Sequence, residues 1–277
     1  MSKNNVKISL FHRSIYEDQE KRRNTDVINC LYQIPNAIFK LICFPWAGGG
    51  SIHFAKWGQM NPELLEVHAI RLAGRESRIQ EPFAQDIQQV VEEIAQALLP
   101  ILQDKPFAFL GHSMGSYIAF LTALYLKEKH KLEPIHLFLS SSTPPHSKLR
   151  LRVKNLKDLS EGDIASLLDV FGGTAGEFIN DEEFLQQYRP KLLADAHLIN
   201  NYEFDPSSKK VLSCDLTCFV GSDDIVHDIE AWKDLTRGNL DIQVCSGNHF
   251  YLLEPTNEAF IQQYIIKHLE LSMLAGF

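Results

Sequence analysis

After a polar start, short apolar runs alternate with amphipathic stretches along most of the chain. Residues 1–26 are charged and aperiodic and read as a poorly ordered extension, with a partner-binding arm as the alternative. Phe39-Lys40-Leu41-Ile42-Cys43-Phe44 is an apolar run that stops at Pro45 and Gly48-Gly49-Gly50, the mark of a buried strand entering a loop. Further strands are expected over Glu66 to Leu72, Phe107 to Leu110, Ile135 to Leu139, Leu216 to Val220 and Ile242 to Cys245. Between Ile87 and Leu99 the apolar residues Ile87, Val90, Val91, Ile94, Ala95, Leu98 and Leu99 fall on one helical face. Pro100 is expected to end or kink that helix. Ser116 to Lys129 begins apolar nearly all round, as a buried helix does. Ile229 to Leu235 reads as a short helix, and Glu258 to Leu271 as a closing amphipathic one.

Strands alternating with helices predict an α/β fold: a mostly parallel sheet covered on both faces. The alternation breaks once, between Pro144 and Lys210, where no strand pattern is visible. A capping pattern at Ser160 and Asp163 precedes Ile164, Leu167, Leu168 and Phe171, and Gly172-Gly173 closes that helix. Two more helices are expected, from about Asp181 to Tyr188 and from Pro190 to Asn201. The division is therefore a core of residues 27–143 and 211–277 with a helical insertion at 144–210.

Composition narrows the function. The chain has 277 residues, 45% of them hydrophobic and 22% charged, and can bury a substantial core. Its formal net charge is −8, and its densest basic run, Lys21-Arg22-Arg23, stands beside Asp18 and Glu20. That argues against nucleic acid as a partner. The five cysteines are an odd number and have no zinc-finger spacing, so neither a disulfide scaffold nor a metal site is expected. Cys214 and Cys218 would share one face of a strand. Met1 to Glu20 lacks an apolar leader core, and no run approaches the ~20 apolar residues of a membrane span. A soluble protein of a reducing compartment is the expectation.

The densest chemical signal is Gly111-His112-Ser113-Met114-Gly115, set between an expected strand and an expected helix. That is the setting of a nucleophile elbow. The turn is so tight that side chains at the flanking positions would clash, and the serine is pushed out at the carboxyl end of the sheet. A serine hydroxyl needs a base. Gly221-Ser222-Asp223-Asp224 follows one later strand and Ser246-Gly247-Asn248-His249-Phe250 the next, so all three groups converge on one sheet edge. Asp224 is preferred for its Gly-x-x-Asp spacing, with Asp223 the alternative. His112 is closer to the serine in sequence, but the elbow points it away and leaves it a packing or hydrogen-bonding role. His227 enters a helix beyond the aspartates. Candidate oxyanion donors are the N–H of Met114 and one from Pro45-Trp46-Ala47-Gly48-Gly49-Gly50, Ala47 first and Trp46 second.

Taken together, Phe44-Pro45-x-Ala47-Gly48-Gly49, Gly111-His112-Ser113-Met114-Gly115, Gly221-x-x-Asp224 and Gly247-x-His249-Phe250 resemble the type II thioesterases. These are discrete α/β-hydrolases serving fatty-acid, polyketide and nonribosomal-peptide synthases. Leu41 to Trp46, Pro106 to Phe120 and Cys214 to Gly221 look like the animal branch in particular. The resemblance runs from about Ile28 to the C-terminus. It implies Ser113 as nucleophile, Asp224 as orienting acid, His249 as base, and Met114 and Ala47 as backbone donors, with no cofactor. It further implies a fatty acyl thioester on the phosphopantetheine of the acyl carrier protein domain of fatty acid synthase, release of medium-chain acids, and a cytosolic monomer. The insertion would then be a lid over an apolar channel. Trp46, Phe250, Leu168 and Phe171 are the candidate lining residues, and the competing reading is that the insertion's apolar groups pack only on each other. Trp46 stands where microbial members commonly have His, and Asn248 where glycine is frequent. Competing functions are an esterase or lipase acting on oxygen esters, and a binding protein on the same fold. The apolar end of the chain, Leu271 to Phe277, is a candidate docking element for the synthase.

Overall fold

The computed structural model describes residues 26–152, 160, 162, 182–205 and 211–275. The expected N-terminal extension up to residue 25, and the helix expected to carry Leu168 and Phe171, lie outside the described residues. Seven strands form one sheet: β1 (Ile28–Asn29), β2 (Phe39–Phe44), β3 (Leu65–Ile70), β4 (Phe107–His112), β5 (His136–Ser140), β6 (Asp215–Gly221) and β7 (Leu240–Cys245), in the order β1-β3-β2-β4-β5-β6-β7. Only β1 is antiparallel to its neighbour. This is the mostly parallel α/β sheet that the alternation predicted, and it is consistent with the α/β-hydrolase fold that the resemblance implied.

Among the described residues the long helices are α1 (Ile87–Leu102), α2 (Met114–His130), α3 (Glu182–Asn201) and α4 (Pro255–Ala275). Successive strand residues point to opposite faces. Ile42, Phe44, Phe109 and Leu139 therefore pack with α1 and α2, while Leu41, Cys43, Leu110 and Phe138 pack with α4 and the turn at Phe54 and Trp57. Burial on both faces explains why these strands read as unbroken apolar runs.

Several boundaries differ from expectation. α1 runs through Pro100 to Leu102, and α3 runs unbroken through Pro190 where two helices were expected. In each case the carbonyl that proline leaves unbonded, four residues back, belongs to an exposed glutamine, Gln96 or Gln186, within reach of solvent. β3 ends at Ile70, short of Leu72, and α2 begins at Met114, two residues before Ser116. Cys214 lies one residue ahead of β6, yet it packs on the same core as Cys218. All five thiols are free. No described helix is long and apolar enough to cross a membrane.

Candidate active site

Ser113 sits between β4 and α2 with φ 55° and ψ −119°, a conformation that L residues adopt only when their surroundings hold it. Its N–H donates to the Ser140 carbonyl at 2.8 Å and its carbonyl accepts the Ser116 N–H at 3.0 Å. A Cβ on Gly115 would stand 2.0 Å from the Phe44 carbonyl oxygen, so α2 lies against the end of β2 only because that position is glycine.

The loops after β6 and β7 bring two more groups to the serine. His249 Nε2 lies 2.9 Å from Ser113 Oγ, and His249 Nδ1 lies 2.8 Å from Asp224 Oδ1. Burial alone would raise the Asp224 carboxyl. The His249 hydrogen bond and charge, the Ser141 hydroxyl at 2.6 Å and the Ile225 N–H at 2.7 Å outweigh it and hold the group below the ordinary aspartate value. An ionised Asp224 can only accept, so Nδ1 carries a proton and, in the neutral ring, Nε2 presents its lone pair to the serine hydroxyl. That row of contacts can take a proton from Ser113 and stabilise the resulting imidazolium.

Asp223 takes no part in this row; its carboxylate is exposed and accepts the Ser222 hydroxyl at 2.9 Å. The His227 N–H donates to Thr143 Oγ1 at 3.0 Å, away from the serine. His112 is fully buried beneath the site with Nδ1 2.8 Å from Ser140 Oγ, which in turn lies 2.6 Å from Tyr251 Oη. Burial, then the nearby His249 and His53, push the His112 imidazole well below its ordinary value. A neutral His112, its ring centroid 5.3 Å from that of His249, puts no second positive charge beside that ring.

These groups open into a cleft of about 900 Å³, counting its open mouth. Trp46, Ala47, Ser113, Met114, His249 and Phe250 all line it. Tyr117, Leu192, Ile199 and Val226 extend the wall, which makes most of the surface apolar. Met114 opens α2, so its N–H has no acceptor within the helix and is available beside the serine. Leu168 and Phe171, the other two expected lining residues, lie outside the described residues. Ser141, Tyr188 and Asp195 were not foreseen. Ser141 has φ 52° and follows β5, a position that no pattern of apolar residues marks.

No cofactor cradle is evident among the described residues. Away from the cleft, Cys30, Glu66 and His68 bring ligand-type atoms within 4.8 Å of one another. Glu66 there already accepts the Ile34 N–H at 2.7 Å and contacts His68 Nε2 at 2.9 Å.

Comparison with known proteins places the chain. A family model described as a thioesterase domain matches residues 39–270. The chain is 58% identical over 261 residues to the human protein "S-acyl fatty acid synthase thioesterase, medium chain", covering 94% of this chain and 98% of that one. It is 45% identical to the protein of the same name from Anas platyrhynchos, covering 86% and 95%. Among solved structures, that of human thioesterase 2 superposes with a TM-score of 0.66 at 52% identity, covering 85% of this chain and 98% of that one. The type II thioesterase BorB from the borrelidin biosynthetic cluster gives 0.75 at 28% identity, covering 87% and 97%. With the family model spanning strands β2 to β7 and the serine elbow, the chain belongs to the thioesterase family of hydrolases.

Proposed function

We propose that the chain hydrolyses fatty acyl thioesters carried on the phosphopantetheine of the acyl carrier protein of fatty acid synthase, releasing medium-chain fatty acids. The observation that carries this reading is the hydrogen-bonded row Ser113–His249–Asp224 at the wall of an apolar cleft. The substrate class follows from relatives named for fatty acid synthase, 58% and 45% identical to this chain. In the first half-reaction His249 Nε2 takes the Ser113 proton as Oγ attacks the thioester carbonyl. Asp224 holds the ring and stabilises its charge. The oxyanion rests on the N–H groups of Met114 and Ala47. The thiol leaves and an acyl-serine remains. Water, deprotonated by His249, then frees the acid. A thiolate leaves more readily than an alkoxide or an amine, so protonation of the leaving group contributes less than in peptide cleavage.

In this reading residues 144–210 form a lid over the core of 27–143 and 211–277, and the enzyme works as a cytosolic monomer. The test is steady-state hydrolysis of acyl-pantetheine thioesters of graded chain length beside matched p-nitrophenyl esters, with Ser113→Ala as control. Preference for medium-length acyl thioesters, lost in the variant, supports the reading. Turnover of oxygen esters alone makes the protein an esterase, and activity surviving Ser113→Ala removes the site.

A further inference from the structure

The loop that carries the proposed oxyanion donor is held from outside the sheet. Tyr188 and Asp195 stand seven residues apart on α3, two turns along one face. The Tyr188 hydroxyl donates to the Ala47 carbonyl at 3.0 Å. Asp195 Oδ2 accepts the Gly48 N–H at 2.7 Å. Helix α3 thus grips both polar groups of a single peptide unit, the one that joins Ala47 to Gly48.

The grip is itself anchored. Arg75 forms a two-pronged pair with Asp195, Nη1 to Oδ2 at 2.8 Å and Nη2 to Oδ1 at 2.7 Å, and both side chains are almost wholly buried. Arg75 Nη1 also donates to the Gly49 carbonyl at 2.7 Å. The loop closes on itself through the Gly49 N–H and the Trp46 carbonyl at 2.9 Å. Gly48 has φ +75°, and a Cβ there would lie 2.6 Å from the Tyr188 ring. The loop is therefore shaped to receive this helix. Burial pushes the Tyr188 phenol upward, so it remains a donor at neutral pH.

We infer that Tyr188 and Asp195 are positioning residues: they fix the Ala47–Gly48 peptide, the Gly49 N–H fixes the preceding Trp46–Ala47 peptide through the Trp46 carbonyl, and together these bonds aim the Ala47 N–H while α3 is seated on the loop. The inference rests on Ala47 acting as the donor. Helix α3 lies within the expected 144–210 insertion, so the proposed donor is held by an element outside the sheet.

The effect should fall on the transition state and spare the ground state. Loss of one oxyanion donor typically lowers kcat by on the order of 10²–10³. Misaiming the donor should reach the lower part of that range in Asp195→Asn, whose amide would turn its NH₂ toward the Arg75 or Gly48 donors. Tyr188→Phe keeps the ring against Gly48 and removes one hydrogen bond, so about a tenfold fall is expected there. The test measures kcat and KM on an acyl-pantetheine thioester and the affinity for two further ligands. One is an alkyl trifluoromethyl ketone, which adds to the serine and creates the oxyanion. The other is the non-hydrolysable thioether of the same chain length. For both variants kcat and ketone affinity should fall by the same factor, with KM and thioether affinity within about twofold of wild type. No fall in either, or an equal fall for ketone and thioether, overturns the inference; Tyr188→Phe decides it if Asp195→Asn does not fold. Absence of a Ser113–ketone adduct in the wild-type protein would refute the functional reading and this inference with it. A normal wild-type adduct with unaffected variants refutes the inference alone.

Discussion

Replacing Asp224 with Asn isolates charge from shape. The amide oxygen can keep the Oδ1 position, which faces His249 Nδ1 at 2.8 Å and the Ile225 N–H at 2.7 Å. The NH₂ group then faces Ser141 Oγ, whose proton can turn to the His249 carbonyl, 3.1 Å away. Packing and hydrogen bonding survive, and the unfolding free energy should change by less than about 2 kcal/mol. What disappears is the anion beside the imidazolium. Two unit charges with centres about 4 Å apart, at an effective dielectric constant of ~20, attract by ~4 kcal/mol. At 1.36 kcal/mol per decade that is a loss of about 10³ in kcat. The assay is acyl-thioester hydrolysis by Asp224→Asn and Asp223→Asn together, with urea unfolding of each. Asp223→Asn should stay within about twofold of wild type, because its carboxylate is exposed and accepts the Ser222 hydroxyl away from the Ser113–His249–Asp224 row. Asp224 is held below its ordinary value, so its contribution to stability is present above the unfolded-state pKa and is lost as pH falls through the folded one. The stability gap between wild type and Asp224→Asn should therefore be flat near neutrality and close in acid. A loss under tenfold for Asp224→Asn, or an equal loss for Asp223→Asn, would refute the reasoning.

Gly115→Ala must push a methyl group into the Phe44 and Pro45 carbonyls, 2.0 and 2.7 Å away, so a stability loss of about 3 kcal/mol and near-complete loss of activity are expected. A melting temperature within about 2 °C of wild type would contradict that packing. Burial raises the thiols of Cys30 to about 11 and Cys214 to about 12, and raises those of Cys43, Cys218 and Cys245 as well. Iodoacetamide at neutral pH should leave activity intact while a fluorophosphonate abolishes it, and inactivation by the alkylating agent would point to a thiol in the chemistry. Leu271, Met273 and Leu274 are 50%, 41% and 85% exposed near the end of α4. Deleting residues 274–277 should slow release from carrier protein while sparing a small acyl-CoA, and equal loss on both substrates would show that this end only supports the fold.

Much of the site is legible in the sequence because its carriers obey local rules. β2 and β4 are buried on both faces, so each appears as a plain apolar run, and the glycines around Ser113 mark a turn that other residues cannot make. Helix ends were harder to read: Pro100 and Pro190 look like stops, but each frees a carbonyl on a wet face, where the penalty is small. The support of the loop from Trp46 to Gly49 is illegible for another reason. Arg75 and Asp195 are 120 residues apart, and nothing near either position announces the other. Ser141 takes a left-handed backbone that glycine or asparagine would have signalled and serine does not.

The strand order has a consequence for the protein's birth on the ribosome. From β2 onward one edge of the sheet grows in the order of synthesis, β4, β5, β6 and then β7. Ser113 emerges early, whereas His249 lies 136 residues later, past the last strand. A nascent chain can therefore assemble its elbow and much of its core before the proposed base, His249, has been made. Domains generally form as the chain is made, from the N-terminal side. Under the proposed mechanism, hydrolysis would begin only once β7 and the loop after it are in place, and turnover per molecule would then report completed folding.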